Sequence, residues 1–166
     1  MSLSKKIKIS VTVGIVVAIL SSICSFAKTS EEIRSDVLRL HVIANSDTSV
    51  DQNLKLRLRD YILQEGKDIF NGSINVENAV EKIEPVLPEL EKSAKAFMNQ
   101  AGFDYDVKIS LSNEYFTTRT YETVTLPAGK YLALRVVIGS GEGHNWWCVM
   151  FPPMCVPAAD KIDEIE

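Results

Sequence analysis

The stretch Phe103-Asp104-Tyr105-Asp106-Val107-Lys108-Ile109-Ser110-Leu111-Ser112 alternates apolar and polar residues without a break. Successive side chains of a strand point to opposite faces, so this pattern predicts a strand with one buried and one wet face. It also divides the chain, because the period upstream is mainly helical and the residues downstream favour strands.

Upstream, Ser35 to Ala44 places Leu38, Leu40 and Val42 on one parity and Arg39 and His41 on the other, which predicts a first strand. His41 reads as a surface or edge histidine. Asn45-Ser46-Asp47 supplies turn chemistry, and Ser49 with Gln52 has capping-box spacing, so a helix is expected from there. Leu54, Leu58, Tyr61 and Ile62 form its apolar face, with Leu56, Leu63 and Phe70 as a second stripe. Lys55, Arg57 and Arg59 read as solvated positions around it. After Asn71-Gly72-Ser73, a second helical stretch begins near Asn75 and carries Val76, Ala79, Val80 and Ile83. Pro85 and Pro88 must break or kink it. Leu90, Ala94, Phe97 and Met98 continue the period to Gly102, a C-terminal stop.

Downstream, Tyr115 to Val124 is rich in Thr and Tyr, Pro127-Ala128-Gly129 is a turn, and Tyr131 to Ile138 reads as a central strand. Trp146 to Phe151 is the last strand, ended by Pro152 and Pro153. The fold class is therefore α+β: one N-terminal strand, two helical segments, then a mainly antiparallel sheet of three to four strands with helices on one face. Consecutive late strands favour antiparallel pairing.

The N-terminus reads differently. Lys5, Lys6 and Lys8 precede an apolar run from Ile9 to Ile23, and Ser25-Phe26-Ala27 puts small residues at the -3 and -1 positions of a cleavage before Lys28. This is the order of a secretory signal. As a helix the run reaches about 22 Å, short of a hydrocarbon core of about 30 Å. Residues 1–27 are thus expected to be a signal peptide, or else an uncleaved N-terminal anchor. A lipoprotein anchor on Cys24 is a further alternative, weakened by Ile23 before it. Residues 28–157 read as a single domain and residues 158–166 as an acidic tail.

The chain has 166 residues, 46% of them hydrophobic, with 18 Lys+Arg against 22 Asp+Glu. Without the three N-terminal lysines the balance is 15 to 22. A duplex nucleic-acid partner, which needs a basic surface to displace counterions, is not expected. In an exported chain, Cys148 and Cys155 form an even pair that suggests one disulfide, the alternative being two buried thiols.

Catalytic readings are weak. Cys148 with His144 as base would suit a thiol hydrolase, but four residues' separation brings them together on a helix and not on the expected strand. Zinc on His144, Cys148 and Cys155, with Glu142 as a fourth candidate ligand, matches no ligand framework, and Gly139, Gly141 and Gly143 do not form a phosphate-cradling motif. No catalytic residue, metal or cofactor is expected. What remains is surface: Asn145-Trp146-Trp147 places two large amphipathic rings beside a glycine loop, and Trp is enriched at binding hot spots. Simple alternation would instead bury one Trp and leave the other at the edge.

Two blocks of sequence carry a resemblance. The first is Arg39-Leu40-His41-Val42-Ile43-Ala44-Asn45-Ser46-Asp47, continuing through Asp51-Gln52 and Lys55 to Arg59-Asp60. The second is Pro127-Ala128-Gly129 with Tyr131, Arg135 to Gly139, and the run from Gly141-Glu142-Gly143-His144-Asn145-Trp146-Trp147-Cys148 through Pro152-Pro153 to Cys155. Both resemble the stage II sporulation protein R family of endospore-forming bacteria. The resemblance implies a signal made in the forespore and exported into the space between the two sporulation membranes. There it would trigger a membrane-embedded aspartic protease of the mother cell, which cleaves the sigma-E precursor. The expected partner is that protease's outer domain, with membrane contact only through the N-terminal segment if it is uncleaved. The expected contact residues are His144, Asn145, Trp146 and Trp147, with Asn45, Ser46 and Asp47. Some family members extend further at the C-terminus, whereas this sequence ends eleven residues past Cys155. Contacts made by such an extension are expected to be absent or replaced. A secreted cysteine-dependent cell-wall or peptide hydrolase and an envelope lipoprotein are the rival functional classes.

Overall fold

A computed structural model describes residues 3–121 and 124–153. Its first element is a long helix, α1 (Leu3–Ser35), followed by β1 (Leu38–Ile43) and α2 (Ser49–Ile69). Helix α3 (Val76–Ile83) passes through a single 3-10 turn at Glu84–Val86 into α4 (Leu87–Gln100). The strands β2 (Val107–Phe116), β3 (Arg119–Tyr121), β4 (Val124–Leu126), β5 (Gly129–Ile138) and β6 (Asn145–Phe151) complete it. The expected acidic tail and Cys155 lie outside the described residues.

The α+β class holds, and the main sheet is mostly antiparallel, in the order β2-β5-β1-β6. Strand β1 pairs parallel with β5, Leu40 opposite Leu134, and antiparallel with β6, His41 opposite Trp147. The late strands β5 and β6 therefore do not pair with each other, because β1 is inserted between them. All six residues of β1 are buried, as the middle of a sheet covered on both faces requires.

One side of the sheet carries α2, α3 and α4. Leu38, Leu40, Val42, Leu134, Val136, Ile138, Cys148 and Met150 meet Leu54, Leu58, Ile62, Ala79, Ile83, Leu90, Ala94 and Met98 there. These helical residues are those of the expected apolar faces. Pro85 separates α3 from α4, and Gly102, at φ 88°, ends the last turn. The other side is smaller. It packs Val37, Phe116, Leu126, Tyr131, Ala133 and Val149, with Ile33 of α1 and Tyr121 of the β3–β4 hairpin against them.

Three local expectations are revised. The cap of α2 is Thr48, whose hydroxyl accepts from Asp51 N at 3.2 Å; Gln52 instead donates to Ser46 O at 2.9 Å. Lys55 and Arg59 are not solvated but buried, at 4% and 0% exposure, because α2 is enclosed by the sheet and the loop before β6; Arg57 is exposed. Residues 103–106 precede the ladder, and the strand expected over Tyr115 to Val124 is divided between the end of β2 and the small hairpin.

Helix α1 runs without interruption through Ser25-Phe26-Ala27 and is long and apolar enough to cross a membrane, a measure that signal sequences near an N-terminus also meet. Its 33 residues reach roughly 50 Å. Its apolar residues up to Phe26 are exposed, whereas Ser30 is buried and Ile33 packs on the sheet.

Candidate partner-binding surface

The residues expected to form a contact surface fall into two groups. Asn45, Ser46 and Asp47 follow β1, and the glycine loop 139–144 leads into β6. Backbone bonds join the two loops: Gly143 N donates to Ala44 O at 2.9 Å and Glu142 N to Asn45 O at 3.2 Å. Asn45 Oδ1 accepts from Ser140 N at 3.0 Å, while Asn45 Nδ2 donates to Asp51 Oδ2 at 2.8 Å. Ser46 Oγ donates to the same Asp51 oxygen at 2.6 Å. Asp47 accepts from His144 N at 2.6 Å and pairs with His144 Nδ1. Lys55 Nζ donates to the His144 carbonyl at 3.0 Å.

This knot explains the glycines. Gly139 adopts φ 55°, a left-handed conformation that side chains resist, and a Cβ on Gly143 would meet the Ser46 carbonyl oxygen at 2.3 Å. It also sets two carboxylates. Burial would raise the Asp51 carboxyl, but hydrogen bonds from Ser46, Asn45, Tyr105 and Thr48 outweigh it and hold the group below the ordinary aspartate value. The backbone and side chain of His144 lower Asp47 in the same way. Asn45, Ser46 and Asp47 thus spend their polar groups on the first turn of α2 and on the glycine loop, leaving Asp47 and His144 as the exposed rim.

Alternation sends the two tryptophans of β6 to opposite sides. Trp146 is half-buried on the helix side, its ring 4.3 Å from the Arg59 guanidinium, and its indole N–H is buried without a hydrogen-bond partner among the described residues. Trp147 faces the other side, stacked on His41 with ring centroids 3.6 Å apart and edge-on to Phe116 at 4.8 Å. Asn145 shares that side, and its Oδ1 lies 2.7 Å from His41 Nε2.

His41 is the chief residue the sequence reading misplaced. It is 5% exposed, and its Nδ1 pairs with Glu114, which also takes Arg135 Nε at 3.0 Å and the Ser112 hydroxyl at 3.1 Å. The strand alternation does separate His41 from the leucines. What it lacks is the register that brings Glu114 of β2, across β5, and Trp147 of β6 to the same place. Arg39 lies deeper on this side. It is fully buried, donates to Cys148 O at 3.1 Å and Tyr121 OH at 2.7 Å, and sits 4.2 Å from the centre of the Phe116 ring. Burial lowers its pKa; Tyr121 and Tyr131 oppose this, and the positive charge of Arg119 adds to it.

The remaining chemistry is not gathered. Cys148 faces the helix-side core, while His144 sits on the exposed rim with Asp47. Among the described residues no cluster of three or more His, Cys, Asp or Glu side chains is placed to hold a metal ion. Cys155, the expected partner of Cys148, lies outside the described residues.

Comparison with known proteins bears on this surface directly. No solved structure matches the chain. Stage II sporulation protein R of Bacillus subtilis (strain 168) is 36% identical over 123 residues, which cover 74% of this chain and 55% of that protein. The chain thus spans about half the length of the curated relative it matches. The family model described as Stage II sporulation protein R matches residues 34–161, a span that begins at the docked end of α1 and takes in both loops, the His41 cluster and both tryptophans. The chain therefore belongs to the stage II sporulation protein R family.

Proposed function

We propose that this protein is an exported sporulation signal that switches on a membrane-embedded aspartic protease, which then processes the mother-cell sigma-E precursor. The observation that carries this reading is the family match over residues 34–161. The apolar helix α1, compatible with a signal or a membrane anchor, supports delivery out of the cytosol. The ligand acts by binding the protease's outer domain better in its active arrangement, so that the active population rises. The contact surface is formed by Trp147, Asn145, His144 and Asp47, with Asn45 and Ser46 holding the rim in place and Trp146 supporting it from the core side. A Cys148–Cys155 disulfide belongs to the same proposal, and thiol titration of the exported chain tests it.

Co-expression with the protease and its precursor substrate tests the reading by scoring precursor cleavage with and without this chain. The two tryptophans are expected to separate. Trp147→Ala leaves a folded, exported protein with cleavage reduced at least about tenfold, the scale of one interface anchor. Trp146→Ala lowers stability by about 2 kcal/mol, since it removes packing and a cation–π contact on the core side. Normal cleavage with Trp147→Ala, or cleavage that ignores the whole chain, would end this reading.

A further inference from the structure

A small slot opens between the end of β2, the hairpin and β6, lined by Tyr115, Phe116, Thr117, Arg119 and Trp147. Its volume is about 170 Å³. That is well below the roughly 300–1,000 Å³ of a typical small-molecule pocket and suits one inserted side chain. Two of its walls are the perpendicular rings of Phe116 and Trp147. Tyr115 stands at the mouth, 64% exposed.

The charge around this slot is unbalanced. Arg119 is exposed and forms no ion pair among the described residues. Behind Phe116, Arg39 carries a second guanidinium that, among the described residues, meets a hydroxyl and a carbonyl but no carboxylate, and its Nη1 is buried with no hydrogen-bond partner among them. The nearby carboxylate on this side of the sheet, Glu114, is already engaged by His41 and Arg135. Arg119, without an ion pair among the described residues, therefore lines one aromatic slot, with a second guanidinium, Arg39, behind its Phe116 wall, on a chain whose net charge is -4. A planar guanidinium recognises carboxylates by paired charge-assisted hydrogen bonds, and aromatic walls exclude water from such a pair.

We propose that the slot beside Arg119 receives an acidic side chain, Asp or Glu, from an extended segment of a partner protein, with Trp147 and Phe116 packing on its methylene stem. This deepens the activator reading by naming the chemistry of the contact, and it is tested by binding alone, without sporulation signalling. A carboxylate and a phosphate share the recognition chemistry, and the volume and apolar walls favour the carboxylate with its stem.

The test titrates the full chain in nonionic detergent with hexaglutamate peptide, following tryptophan fluorescence and heat. Hexaglutamate is expected to bind at least about tenfold more tightly than hexaglutamine, the scale of one charged hydrogen bond. Arg119→Gln is expected to abolish that difference, Arg119→Lys to restore part of it, and Arg57→Gln, an exposed arginine on α2, to leave it unchanged. Equal affinity for the two peptides, or an effect of Arg57→Gln as large as that of Arg119→Gln, would overturn the proposal. Inorganic phosphate displacing hexaglutamate at equal concentration would overturn it in favour of a phosphate group. A gain of tenfold or more with Glu122→Gln would overturn it too, by making a glutamate of this chain the occupant.

Discussion

Gly143 shows how closely the two loops approach each other. Its backbone lies against Ser46, so Gly143→Ala drives a methyl into a carbonyl that cannot swing away. The expected cost is about 1–3 kcal/mol in urea unfolding, the range of overpacked sites, with the loss of the Asp47–His144 contact. Asp51 gives the same knot a pH dependence. Its folded-state pKa is depressed, so its contribution is present above the unfolded value and is lost as pH falls through the folded value. Native protein is therefore expected to lose stability on acidification below about pH 4. Asp51→Asn is expected to be less stable at neutral pH, with the gap closing in acid; parallel curves for the two proteins would contradict this. The residues of the knot were quoted from the sequence as a motif, and their clustering was legible as two turn-rich segments beside strands. That they bond to one another was not, because the two segments are nearly a hundred positions apart. The same distance hid His41 and Arg39, whose polar heads are hydrogen-bonded by groups from β2, β6 and the hairpin.

Helix boundaries are most legible for α3 and α4, which carry their own start and stop chemistry in Asn75, Pro85, Pro88 and Gly102, whereas the cap of α2 is Thr48 and not Ser49. Helix α1 was read from its apolar run, but its extension to Ser35 was not foreseen, because Lys28 to Ser35 is polar apart from Ile33. That last stretch is held by the sheet: Ile33 packs against the buried cluster that includes Val37, Tyr131 and Val149, and the Arg34 side chain crosses Gly129. Ile33→Asp is expected to destabilise the domain by about 1–2 kcal/mol, since a half-buried aliphatic side chain becomes a charge. Substituting Ile19, exposed on the same helix, by Ala is expected to leave urea unfolding of the domain unchanged. If both variants behave alike, the polar end of α1 does not belong to the domain. The alternation from Phe103 predicts β2 correctly from Val107 onward but starts it four residues too early. Phe103 and Tyr105 are apolar because they pack on the helix-side core, not because they lie in the ladder.

At the scale of the molecule, the class was legible and the strand order was not. Class follows from local period, whereas order depends on which distant segments meet, and a single sequence carries little of that information. Inserting β1 between β5 and β6 makes the two sides of the sheet unequal: three helices cover one, while the hairpin and the end of α1 cover only part of the other. The uncovered part is where Trp147, Asn145 and Arg119 come to the surface. The central place of β1 has a kinetic consequence as well. Strand β1, which follows α1, has no sheet neighbours until residues 133–137 and 145–151 have been made. Contacts of such long sequence separation form slowly, because the loop must close before the pairing compensates for it. The sheet around β1 thus cannot close until residue 151 exists, and until then it keeps the open form that a narrow translocation channel, as the proposed export requires, can thread.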